Sequence, residues 1–111
     1  MASAPQLGEF EQVVLLAILR LKDEAYGASI RAEILACTER EPASGALYTT
    51  LDRLEEKGLV ASRFGDPTPQ RGGRPKRYIQ VTKRGVEAVA RAQRSYRRLL
   101  RGVVLPGVAH A

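Results

Sequence analysis

Apolar residues recur along this chain at two spacings, and the change from one to the other marks out its elements. From Gly8 to Leu21 the positions Phe10, Val13, Val14, Ala17, Ile18 and Leu21 repeat at helical spacing along one broad face. Leu15 and Leu16 point elsewhere, so this first helix is apolar over most of its circumference. Such a helix is expected to be buried on two sides, by its own core and by something else, with a partner subunit as one candidate. A polar link, Lys22-Asp23-Glu24, leads to a second helix over 27–36, where Ile30 and Ile34 lie one turn apart and Tyr26 closes the start of the face. Cys37 near its end reads as a small core or boundary residue. Pro42 closes a polar stretch over 38–43, since proline biases the residue before it away from helix. Ser44 is the expected N-cap of a third helix over 45–57. Leu47, Leu51 and Leu54 face its core side, and Gly58 is its C-terminal stop.

Beyond Gly58 the period falls to two. Residues 59–64 and 78–81 predict a pair of antiparallel strands. The thirteen residues between them, Gly65 to Arg77, include Gly65, Gly72, Gly73, Pro67, Pro69 and Pro75. A hairpin connection of that length usually serves a function. Thr82 can cap a last helix running from Lys83 to about Val104, with Pro106 and Gly107 as its stop. The predicted fold is mostly α with a small β-hairpin wing (α+β): a winged helix-turn-helix followed by a long C-terminal helix. Residues 1–7 form a flexible arm, 8–82 the winged domain, 83–105 the helix and 106–111 a flexible tail.

Charge sharpens this picture. The 111 residues carry a net +6, placed unevenly. Residues 1–58 hold 6 Lys or Arg against 10 Asp or Glu, whereas residues 59–111 hold 12 against 2. Such polarity favours a polyanionic partner. Cys37 is the only cysteine, so no intrachain disulfide or multi-cysteine metal site is available, and a reducing cytoplasm suits the chain. The apolar run Val13–Leu19 is too short to span a bilayer, and Glu9 and Glu11 ahead of it do not resemble a secretory signal. No enzyme is expected: His110, the single histidine, lies in the tail, and no acid–base pair or cofactor motif is present. Glu9, Glu11, Glu24 and Glu33 read as solvated helix surface.

Two short helices followed by a third with a polar outward face match the helix-turn-helix, whose last helix enters the major groove of DNA. Ser44, Gly45 and Ala46 are small enough to admit a phosphate to the helix N-terminus. Gly45, Thr49, Asp52 and Arg53 fall opposite the leucines, and Thr49 and Arg53 are the candidates for base or phosphate contact. Tyr48 on the flank can donate to a phosphate or pack against the second helix. Asp52 is placed at the groove margin, where a carboxylate is least unfavourable. In the loop, Arg71, Arg74 and Lys76 are the candidates for backbone contact, and Arg77, opening the returning strand, ranks below Arg74 and Lys76 because it can face away. A winged-helix module that docks protein instead of DNA is the alternative.

In the last helix Val86, Val89, Ala90, Tyr96, Leu100, Val103 and Val104 line one arc, with arginines over the rest. That stripe follows a complete module and has no obvious internal partner. Pairing across a two-fold axis, against Phe10 and Val14 of the first helix, would bury it.

The segments Leu7–Leu19, Tyr26-Gly27, Gly45–Val60, Arg71–Arg74 and Lys76–Tyr78 together resemble the PadR family of transcriptional regulators. The resemblance covers roughly residues 7–85. It implies a recognition helix over Ala46–Glu55 and a wing over Arg71–Tyr78. It further implies a homodimer on double-stranded DNA, usually a repressor, with the last helix in the dimer interface; no cofactor is expected. Members that sense small molecules often do so near that interface, so an unidentified effector is a further implied partner. The chain stops shortly after one long helix, which resembles the form without a larger C-terminal domain.

Overall fold

The computed structural model describes residues 6–65 and 75–107. Three helices, α1 (Glu9–Leu21), α2 (Gly27–Thr38) and α3 (Ser44–Glu56), precede an antiparallel hairpin of β1 (Val60–Phe64) and β2 (Arg77–Val81). A long helix, α4 (Lys83–Leu100), follows. In the hairpin Val60 pairs with Val81, Ser62 with Ile79 and Phe64 with Arg77. Just before α2 the backbone adds a short third pairing: Tyr26 bridges Tyr78, and the Ile79 amide donates to the Ala25 carbonyl at 2.8 Å.

The core gathers one stripe from each element: Val14, Leu15 and Ile18 of α1, Ile30 and Ile34 of α2, Leu47, Leu51 and Leu54 of α3, and Ile79 of β2. Side chains at helical spacing on three short helices meet because none of these helices could hide its apolar face alone. Leu15, expected off the core face, is fully buried. The reason is that β2 and α4 also pack on α1 and cover it, whereas Leu16 and Leu19 stay exposed. Val14 is equally buried within the protomer and is therefore not open to a partner, contrary to its place in the expected dimer interface.

Three helix ends differ from expectation. Ala43, not Ser44, takes the N-cap position of α3: it has extended backbone and its carbonyl accepts the Leu47 amide at 3.0 Å. Ser44 is thus the first helical residue, and no side chain caps this end. The second helix runs two residues further than expected, to Thr38, and Cys37 is exposed. There the stripe of Ile34 outruns its cover and Cys37 lines an open groove of about 220 Å³ with Val13, Leu16 and Ala17. Helix α4 stops at Leu100 and not at Val104, because Gly102 takes a left-handed φ of 79° right after it. Thr82 caps α4 as anticipated, its Oγ1 accepting the Gly85 amide at 3.1 Å. Among the described residues no helix is long and apolar enough to cross a membrane.

Candidate nucleic-acid interface

Helix α3 buries Leu47, Thr50, Leu51 and Leu54 and leaves Ser44, Gly45, Tyr48, Thr49, Asp52 and Arg53 exposed. The Thr50 hydroxyl is satisfied by the Ala46 carbonyl at 2.8 Å, so the buried side of the helix keeps no polar group without a partner. At the N-terminus of α3 a Cβ built on Gly45 would meet nothing within 4 Å. Nothing among the described residues therefore requires a glycine there, although glycine within a helix costs about 0.5–1 kcal/mol relative to alanine. With Ser44 exposed beside it and no side-chain cap, the first turn of α3 offers open backbone amides at the positive end of a helix.

Tyr48 takes the second of its two expected roles and packs against the second helix. Its ring covers Gly27 so closely that a Cβ at position 27 would collide with the phenol oxygen, which fixes α3 against the start of α2. Yet the residue remains 46% exposed. Arg53 is exposed on the flank of α3 nearer α1, where its charge helps to lower the pKa of Glu11.

Glu11 is not the solvated surface residue expected of it. It is 7% exposed, accepts the Gly8 amide at 2.8 Å, and pairs with Lys57 Nζ at 2.8 Å. That pair ties the C-terminal end of α3 to the first turn of α1. Arg40, in the turn before α3, grips Glu9 at 2.8 Å and lies over the Phe10 ring at 5.1 Å. Phe10 is thereby half-buried against the protomer core.

At the hairpin, Lys76 does not project freely: its ammonium lies 4.2 Å from the centre of the Tyr26 ring, a cation–π contact. Tyr26 in turn meets Tyr78 edge-on at 5.7 Å. Arg77 does not face away. It shares the strand face of Ile79 and Val81 and reaches the outward side of α3, donating to Glu55 at 2.9 Å and to Asp52 at 3.3 Å. Strand parity carried that signal, since residues two apart share a face. Arg71 and Arg74 lie outside the described residues.

On α4, Val89 is buried with Gly85 and Ala88, so it belongs to the protomer core and not to a free stripe. Val86, Tyr96, Leu100 and Val103 are exposed, and Leu99 and Val104 are more exposed still. The apolar arc thus continues past the point where the protomer can cover it.

Comparison with known proteins bears on this geometry directly. None of the curated proteins matches the chain. A PadR family transcriptional regulator from Eggerthella lenta superposes with a TM-score of 0.66 at 26% identity, covering 85% of this chain and 81% of that one. A PadR-like transcription factor from Bacteroides fragilis gives 0.71 at 24% identity, over 83% and 84% of the two chains. The fold extends to F93 from STIV, a winged-helix DNA-binding protein, with a TM-score of 0.70 at 13% identity over 90% of this chain and all of that one. Residues 15–91 match the model of the transcriptional regulator PadR-like family. With that match spanning α1 to the middle of α4, the chain belongs to the PadR-like family of transcriptional regulators.

Proposed function

We propose that the protein binds double-stranded DNA sequence-specifically as a homodimer and represses transcription. The observation that carries this reading is the exposed side of α3. Ser44, Gly45, Tyr48 and Thr49 stand open on one helix, the sequence that joins β1 to β2 is basic, and among the described residues Gly45 has no packing role. In this reading the first turn of α3 takes a phosphate, Thr49 and Arg53 reach base edges in the major groove, and Arg71, Arg74 and Lys76 in the wing steady the backbone. The exposed arc of Val86, Tyr96 and Leu100 on α4, with exposed Val103 just beyond its end, supports dimerisation, because a lone protomer leaves that apolar surface in water. Phe10 stands at the rim of that interface. Two protomers would then address half-sites about one helical turn apart.

The deciding experiment is a titration of the protein with DNA from upstream of its own gene and with mixed-sequence duplex, each over a series of salt concentrations. Tighter binding to the upstream DNA, with a steep salt slope on both, is the expected result. Equal affinity for both would favour a winged-helix module that docks something other than an operator.

A further inference from the structure

The outward side of α3 has a feature that a DNA-facing helix should not tolerate: Asp52, Glu55 and Glu56 crowd its second half. A phosphate wall repels carboxylates. Arg77 is the group that answers them. From the base of β2 its Nε donates to Ser62 Oγ at 3.0 Å, one terminal nitrogen donates to Glu55 Oε1 at 2.9 Å and the other to Asp52 Oδ1 at 3.3 Å. Ser62 Oγ donates to the same Glu55 oxygen. Three elements, α3, β1 and β2, therefore meet on one guanidinium.

Fold stability gives little reason for this arrangement. The Asp52 and Glu55 side chains are 65% and 45% exposed, and ion pairs that open to water contribute little. What the cluster does fix is geometry. The planar guanidinium supplies its donors in a rigid fork, so it sets the angle between the wing's base and α3 as well as offsetting charge.

We propose that Arg77 is a positioning residue for DNA docking: it straps the wing to the recognition helix and holds Asp52 and Glu55 off the phosphate backbone. This inference rests on the DNA-binding reading. Arg77 acts through the two carboxylates, so its effect on DNA is coupled to their presence.

The test is a cycle of four proteins: wild type, Arg77→Gln, Asp52→Asn with Glu55→Gln, and all three changes together. Each is titrated with mixed-sequence duplex over a salt series, and each is melted to check the fold. The Arg77→Gln change is expected to weaken binding about tenfold in the wild-type background and less than about twofold where the carboxylates are gone. Melting temperatures should stay close together. Equal losses in the two backgrounds, with the salt slope falling by about 1, would make Arg77 a plain phosphate contact and overturn the proposal. Arg77→Lys is the companion variant. It keeps the charge but not the fork, and is expected to lose severalfold in affinity, whereas full retention of binding would equally overturn the strap. A wild type that ignores duplex at low salt would remove the DNA-binding reading itself, a result distinct from a binding wild type with equal losses.

Discussion

Lys57 Nζ stands 2.8 Å from Glu11 Oε2, joining the end of α3 to the start of α1 across 46 positions of sequence. Burial works to raise the Glu11 pKa. The hydrogen bonds from Lys57 and the Gly8 amide, with the charges of Lys57 and Arg53, outweigh it and leave the carboxyl below its ordinary range. With a lowered folded pKa, the unfolded chain takes up the proton first. The pair's contribution is therefore complete above the ordinary glutamate pKa of about 4.3 and disappears as pH falls through the folded value. Glu11→Gln should cost about 1 kcal/mol at neutral pH, measured by denaturant unfolding, and the difference should shrink as pH falls below the ordinary glutamate range. A difference that persists in acid would show that packing, not charge, is what Glu11 supplies.

Gly45→Ala should separate folding from binding. Since an added Cβ meets no atom of the described residues, the variant should be more stable by about 0.5–1 kcal/mol. Duplex binding should nevertheless weaken, because the methyl group would stand in the way of the proposed phosphate contact. Unfolding curves and DNA titrations on the same preparation check both halves.

Thr49→Ala and Arg53→Ala should each cost about 1–3 kcal/mol on the upstream DNA if a good base contact is lost, and much less on mixed sequence. Both side chains are exposed, so melting temperatures should change little. Equal losses on the two duplexes would reassign them to phosphate contact.

Leu100→Glu should shift the protein towards monomer. Leu100 is 52% exposed on the uncovered arc of α4, and a charge placed there would be buried on pairing. Sedimentation equilibrium at micromolar concentration is the measurement. A wild type already monomeric under those conditions would rule out the dimer.

For the wing, Arg74→Ala should lower the magnitude of the salt slope by about 1 if it removes one phosphate contact. Lys76→Ala should lower it less, because its ammonium is partly engaged by the Tyr26 ring. Slopes unchanged in both variants would take the wing off the DNA backbone.

The helical stripes and the switch to a two-residue period were enough to lay out α1 to α4 and the hairpin. Leu47, Leu51 and Leu54 fall on the buried side of α3 as their spacing predicted, because spacing within one helix is local information. Leu15 and Val14 show where locality ends. Whether the second side of α1 meets a partner or its own chain depends on where β2 and α4 return, and no window of sequence contains that. Glu11 reads as solvated surface for the same reason, since its partner Lys57 lies at the far end of α3. Val89 was assigned to a free stripe because the start of α4 packs on the protomer while its end does not, and periodicity is blind to that change along one helix. Arg77 was legible in principle, for it shares the parity of Ile79 and Val81, but a cation at the end of a basic loop draws the eye towards solvent.

The hydrogen bond from the Ile79 amide to Ala25 has a consequence in time as well as in space. It places β2 between β1 on one side and the segment entering α2 on the other, so the strand cannot detach by fraying from one edge. Its amide proton can exchange with solvent only when the hairpin and the start of α2 part together. In deuterated water the Ile79 amide should thus be retained about as long as those of the buried helix positions, while amides near the end of α4 are replaced early. The hairpin and the start of α2 would then open as one cooperative unit.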